Sequence, residues 1–540
     1  MIHTARCVAL AAIVATPSLS AQHDHGRSAE QLGRVVFPIS CNAAAQRSFE
    51  RAMALLHSFW WEQGVTAFQA VTAADSTCAM GYWGLALNAW GNPFTGGPGG
   101  MAGTGEALRR GAAAADRAIA LGAATPREQG FLAALSALYR GSDSIPNARR
   151  LQAYSDTLAR VYRDFPNDTE VAIYYALSLV ATASKTDTTF ARQRRAAAIL
   201  NPLFQRFPEH PGLAHYIIHA NDSPQLSILG LDAARRYAQI APSAPHAQHM
   251  PSHIFIRRGL WDETIAANQR SFDAGVEYAR AHQTGVAPEQ FHALDYMVYA
   301  YLQEGKDGEA RRTVALAQEL KATLNTDLLL ANYNRVAMEA RVPLERGDWS
   351  EASRLPVRAT QSSIGKALAH FARAIGAARL GDTARANVEA AALADIEADM
   401  VRRGDSEWSR VVGIKRQAVG AWIELAAGDT VAALRDAKAA ADVEDVTEKH
   451  PVTPGELLPA RELYADLLLV VGRYAEAHAA YERTLAREPN RARSLYGSAR
   501  AAELAGDRAD ARPRYLAFLA QMTAGDGDRV EIARARAALR

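Results

Sequence analysis

Glycines recur 34 positions apart in the C-terminal half of this 540-residue chain, and each separates one amphipathic helical stretch from the next. Gly472 and Gly506 occupy equivalent points of PARELYADLLLVVGRYAEAHAAYERTLAREPN and RARSLYGSARAAELAGDRADARPRYLAFLA, and Gly347 in RGDW and Gly381 in LGDT repeat the interval. A fixed period of this length, with helical patterning on both sides of a turn, restricts a chain to stacked helical hairpins that each bury one face against a neighbour. Composition points the same way: alanine abounds, 49% of residues are hydrophobic, and β-branched residues are sparse.

The pattern extends toward the N-terminus. From Cys41 onward RSFERAMALLHSFWW and GVTAFQAVTAAD read as paired helices, CAMGYWGLALNAWG opens the next pair, and 147–166, 169–183, 190–206 and 226–241 also read as helical. Gly91, Gly259, Gly305 and Gly428 are further candidate turns, at spacings that demand longer loops or helices. Small Ala477, large Tyr481 and a closing Pro489 around the Gly472 turn resemble the tetratricopeptide repeat. That resemblance implies an all-α fold, a right-handed superhelical solenoid of hairpins, with one array over 41–310 and a second over 311–540. PHAQHMPSHIFIRRGLWDETIAANQRS, HYIIHAND, FHALDYMVYAYLQEG, LLHSFWW and KHPVTPGELLPAREL together resemble a family of exported bacterial tetratricopeptide-repeat proteins; this implies a scaffold and names no reaction.

The first 21 residues carry one Arg, a short apolar run and small residues ending Leu19-Ser20-Ala21, the pattern of a cleaved signal peptide. Their apolar run is too short to span a bilayer core of about 30 Å, so no membrane insertion is expected after cleavage. Residues 22–40 lack periodicity and read as a mobile leader, in which His23 and His25 lie. Removing 1–21 takes away Arg6 alone among the charges, so a formal +2 becomes +1; that balance argues against nucleic acid as a partner. Cys41 and Cys78 remain, an even pair that in a secreted or periplasmic protein forms a candidate disulfide, with two buried thiols as the alternative. The stretch 91–106, GNPFTGGPGGMAGTGE, has neither the Gly-Lys-Ser/Thr nor the preceding strand of a phosphate loop, and reads as a flexible loop able to fold over a groove.

Five of the fifteen histidines fall between 215 and 253. His215 and His219 share a helix face with Asp222, and His246, His249 and His253 form a stripe along another helix. Counted back from Gly259, the stripe lies thirteen, ten and six positions before the turn; the same offsets before Gly305 give His292, Asp295 and Tyr299. First helices of such hairpins line the concave face, so His215, His219, His246, His249, His253, His292 and Asp295 form a candidate metal cluster. His57 near the end of the first helix is a further candidate, and Trp60, Trp61 and Trp83 read as packing. Pro251 interrupts the stripe and threatens its continuity.

Imidazole-rich ligation suits a divalent transition metal, Zn or Cu before Fe or Ni. Tyr216 follows His215 where a zinc protease places Glu, which removes that signature. Three readings follow: a scaffold that binds a protein or peptide in its concave groove and holds a metal ion there, a metal-dependent hydrolase or copper oxidoreductase, or a peptide-binding array without metal.

Overall fold

The computed structural model describes residues 30–94, 105–184, 186–322, 329–526 and 528–540. The expected signal peptide, His23 and His25, and 95–104 of the glycine-rich stretch lie outside them. The regular elements among the described residues are all helices, and their one β pairing is a single bridge between Val286 and Ala322.

Consecutive helices pack as hairpins: α1 (Ala43–His57) with α2 (Trp61–Ala74), α3 (Ala79–Trp90) with α4 (Gly105–Leu121), α5 (Pro126–Tyr139) with α6 (Asn147–Asp164), α7 (Thr169–Ala181) with α8 (Ala191–Arg206), and α9 (Pro211–Asn221) with α10 (Leu231–Ile240). The stack continues through α11 (Pro245–His249), α12 (Pro251–Arg257), α13 (Trp261–His282), α14 (Pro288–Gln303), α15 (Asp307–Glu319) and α16 (Leu329–Arg346), and on to Val530–Ala538. Every candidate turn glycine named from the sequence has positive φ, from 63° at Gly259 to 92° at Gly428, the left-handed conformation that ends a helix without a Cβ clash. After Gly347, Gly381, Gly428 and Gly506 an Asp caps the next helix; Asp382, for one, accepts from the Arg385 N–H at 3.0 Å. The repeat signature in the sequence is thus a stop signal followed by a start signal.

Curvature is tight. The inner helices α1, α3, α5, α7 and α9 touch in succession, with Phe131 of α5 against Tyr174 of α7, and α9 returns to α1. Gly212 lets α9 come that close, because a Cβ there would stand 2.5 Å from Nδ1 of His57. Residues 30–40 correct the expected mobile leader: they form an ordered strap across this turn. The Arg34 N–H donates to the Glu209 carbonyl, and Phe37 is fully buried 5.3 Å from both Phe49 and Phe131. Leu32, Val35 and Phe37 supply enough apolar area to hold the strap without helical periodicity. Cys41 and Cys78 are joined as a disulfide.

The second half also closes on the first. Trp261 donates to the Asn490 carbonyl, Tyr299 to Glu488, and Arg529 to Asp307, so α13 and α14 face hairpins far along the chain.

Candidate metal centre

Four inner helices carry the histidines, and each starts at a proline: Pro211 of α9, Pro245 of α11, Pro251 of α12 and Pro288 of α14. Proline at the first helical position gives up an N–H that has no partner in the helix anyway. Pro251 divides the stripe into two short helices without turning it away, since Met250 keeps helical dihedrals, its N–H donates to the His246 carbonyl, and its carbonyl accepts from the His253 N–H. The three-histidine stripe therefore survives its proline.

It serves two clusters. His215, His219 and His246 form one triad; His249, His253 and His292 form another; in each, the candidate ligand atoms lie within 4.8 Å of one another. Nε2 of His215 is 3.1 Å from Nε2 of His219 and 3.2 Å from Nε2 of His246. Ligands at 2.0–2.1 Å in tetrahedral array are about 3.3 Å apart. The triads are neighbours, with the rings of His219 and His253 centred 6.2 Å apart and those of His246 and His249 6.1 Å apart.

Partners at Nδ1 decide what each Nε2 carries. In the first triad Nδ1 of His215 faces the His57 carbonyl at 2.6 Å and must donate, leaving Nε2 as a lone pair. In the second, Nδ1 of His249 faces Oδ1 of Asn268 at 2.5 Å, and the Asn268 amide is oriented by its own Nδ2 donating to the Thr264 carbonyl. Nδ1 of His253 faces the Asp222 carboxylate at 2.9 Å. Both rings thus donate from Nδ1, so their Nε2 atoms, 3.0 Å apart, present two lone pairs to each other. A cation between them removes that repulsion. His292, 7% exposed, completes the triad with an Nδ1 that has no hydrogen-bond partner.

Burial drives His215 and His292 well below the ordinary imidazole range, with neighbouring imidazoles adding to it, and it pushes His249 down to about 3, with His253 the next cause. Burial also lowers His253, against the pull of Asp222. These rings are neutral near pH 7, the form that binds metal.

Support behind the ligands is extensive. Arg257 donates through Nε to Asp222 at 2.9 Å and reaches Glu448 at 3.2 Å. Burial would raise Asp222, but Lys449, Arg257 and His253 hold it well below the usual carboxylate range. Tyr296 packs its ring within 5.2 Å of His249, His253 and His292 and donates to the Thr453 carbonyl, so a segment of the second half closes over the second triad. That triad is buried, whereas His219 and His246 of the first are partly exposed. Phe59 and Phe94 lie over the exposed side, with ring centroids 4.4 Å from His215 and 4.1 Å from His219.

Of the seven residues singled out from the sequence, six converge and Asp295 does not. Its carboxylate is fully buried in a two-pronged pair with Arg341 at 2.7 and 3.2 Å. Tyr299 at the third offset joins Glu488 and Arg491. Asp222, on the first histidine face by periodicity, instead turns to the second triad. His57 belongs to a third group: its Nε2 and that of His210 flank Glu170 at 3.0 and 2.9 Å, and Tyr216 meets its Nδ1 at 3.1 Å. Burial would raise Glu170, but the two imidazoles outweigh it and hold the carboxyl at about 2. Both carboxylate oxygens are satisfied there, and the His57 carbonyl orients His215, so the third group supports the first triad. Asn268, Glu170, His210 and Phe59 carry no periodic signal in the sequence; their roles depend on contacts between distant hairpins.

No protein-family model matches the chain, and no curated protein matches it. Among solved structures it is similar to the human IFIT1 dimer with m7Gppp-AAAA, at 13% identity and a TM-score of 0.34 over 77% of this chain and 86% of that one. It is also similar to the TPR domain of P58(IPK), at 13% identity and 0.21 over 86% and 99%, and to yeast Tom70, at 11% and 0.26 over 92% and 95%. At such scores the architecture rests on the chain's own helices: an all-α, tetratricopeptide-like stack of hairpins. No helix among the described residues is long and apolar enough to cross a membrane.

Proposed function

We propose that this protein is an exported helical-repeat scaffold that holds two transition-metal ions side by side, one in each histidine triad. The observation that carries the reading is the pair of Nε2 lone pairs of His249 and His253 facing each other at 3.0 Å while both Nδ1 atoms are committed as donors. Six imidazoles, with no carboxylate in either triad, suit copper or zinc by ligand type. The Asp222–His253 contact follows the carboxylate–histidine pattern that orients metal ligands. Export is supported by the signal-like first 21 residues and by the Cys41–Cys78 disulfide.

Three protein nitrogens per ion leave a coordination position open, the arrangement of catalytic sites, so a metal-dependent hydrolase or copper oxidoreductase is the enzymatic form of this reading. A bound ion there would polarise or activate a small ligand. Capture of a protein or peptide by the inner face is the companion reading; on α14 that face is already filled by Arg341, Glu488 and Arg491 of the same chain, which favours the metal.

Elemental analysis of tag-free protein, reconstituted with zinc or copper and dialysed, tests the proposal. Two equivalents per chain are expected, one in His215→Ala, one in His249→Ala, and none in the double variant. A double variant that keeps the full metal content would overturn it.

A further inference from the structure

The Gly347-Asp348 turn introduces a helix that barely forms. After the matching turns at Gly381, Gly428 and Gly506 the second helix of the hairpin spans 383–402, 430–445 and 508–521, whereas α17 (Trp349–Ala352) stops after four residues. Pro356 explains the stop, because it has no N–H to continue the helix and it disfavours helical dihedrals at Leu355. Residues 353–361 run irregularly to the next helix. The groove between α15 and α16 therefore lacks the cover that a full second helix would give it.

What remains is a hollow of about 440 Å³, within the size of pockets that hold small molecules. Val314 of α15, Val342 and Pro343 of α16, and Leu355 form its apolar wall. Val342 and Leu355 belong to different hydrophobic clusters, so the hollow lies on the seam between them. Three exposed arginines complete the lining. Arg311 forks onto Glu351 at 2.9 and 2.7 Å, and Arg358 onto Glu339 at 2.7 and 2.9 Å. Arg354 has no carboxylate partner among the described residues; its Nη1 donates to the Ser350 hydroxyl at 2.7 Å. Three guanidiniums against two carboxylates leave the hollow one positive charge, carried by Arg354.

We propose that this hollow binds a small monocarboxylate with an apolar body. The carboxylate accepts from the Arg354 guanidinium, and the body covers Val314, Val342, Pro343 and Leu355. One surplus charge matches one carboxylate: a cationic guest meets a like charge, and a dianion brings a charge with no partner. Binding here does not rest on the metal centre, which lies on other helices.

The probe is 4-phenylbutanoate, titrated calorimetrically into the whole chain, with 4-phenylbutan-1-ol and 4-phenylbutan-1-amine as comparators. Saturable binding of the carboxylate, at least tenfold weaker binding of the alcohol and none of the amine are expected. Arg354→Gln, at an exposed position with one hydrogen bond to lose, should weaken the carboxylate about tenfold or more and leave the alcohol and the thermal midpoint unchanged. Ala315→Trp, at an exposed position of the α15 wall, should fill the hollow and weaken both ligands. Absence of saturable carboxylate binding, an alcohol that binds as well as the acid, or carboxylate affinity unchanged in either variant overturns the inference. A peptide ending in leucine and phenylalanine that binds more tightly than phenylbutanoate overturns the small-molecule assignment in favour of a polypeptide terminus. Metal uptake should be the same in both variants, so failure of this site and failure of the metal reading are read separately.

Discussion

Acidification of the metal-free protein should open the histidine site well before it titrates ordinary carboxylates. His215, His249 and His292 have folded-state pKa values below the 6.5 of an exposed imidazole, with His249 at about 3. Below pH 6.5 the opened chain therefore takes up protons that the closed one refuses, and stability falls with pH. Each such group costs about 1.4 kcal/mol per pH unit, so at pH 5 His249 alone amounts to roughly 2 kcal/mol and His215 and His292 act in the same direction, against a total stability of about 5–15 kcal/mol for a typical domain. Glu444 works the other way. Burial and Glu456 raise it to about 8, so it binds a proton in the folded state between that value and its ordinary 4.5, and over the same interval returns about 2 kcal/mol. Hydrogen exchange resolves the two, because peptides covering 211–221 and 288–303 report opening of α9 and α14 rather than global unfolding. Opening free energy in those peptides, corrected for intrinsic exchange, should fall between pH 6.5 and 5. In His292→Gln the slope should be shallower by about 1.4 kcal/mol per pH unit, one proton fewer. Identical slopes in wild type and variant, or a flat profile in both, would refute the reasoning.

Two substitutions separate ligands from their surroundings. Asp295→Asn breaks a fully buried pair with Arg341 and should destabilise the fold by about 3–5 kcal/mol while leaving two metal equivalents bound; loss of metal in thermal-shift and elemental measurements would make Asp295 a ligand after all. Asp222→Asn removes the carboxylate that orients His253 and should weaken one of the two ions by about 10–100-fold in a chelator competition, with equal weakening of both counting against separate triads.

Much of the fold was legible because its punctuation is local. A glycine at positive φ followed by an Asp cap depends on three or four consecutive residues, so Gly347-Asp348 and Gly381-Asp382 announce their turns in the sequence itself. Register between Gly91 and Gly259 is harder to read for the same reason: Gly122 and Gly141 end their helices without an Asp cap after them, Phe190 stands at the start of α8, and the helices of the site begin at prolines. The strap at 30–40 has no helical period to announce it, and its Leu32, Val35 and Phe37 are buried by tertiary contacts alone.

The site shows where one-dimensional spacing stops being informative. Offsets from the turn glycines put His246 level with His292, yet His292 joins His249 and His253 while His246 joins His215 and His219. They also aligned His249 with Asp295, but Asp295 looks past the axis to Arg341, which enters from α16 and is itself fixed by the Thr453 hydroxyl and the Gly455 carbonyl. No spacing within α14 encodes that neighbour. Division of one histidine stripe into two triads likewise follows from what lies on either side of it: α9 brings His215 and His219 to His246, while α14 brings His292 to His249 and His253. Because α9 reaches that place only by lying against α1 at Gly212, whether His215 and His219 meet His246 at all is set by how tightly the first five hairpins curve, a quantity that the periodic sequence leaves open and the close approaches between hairpins determine.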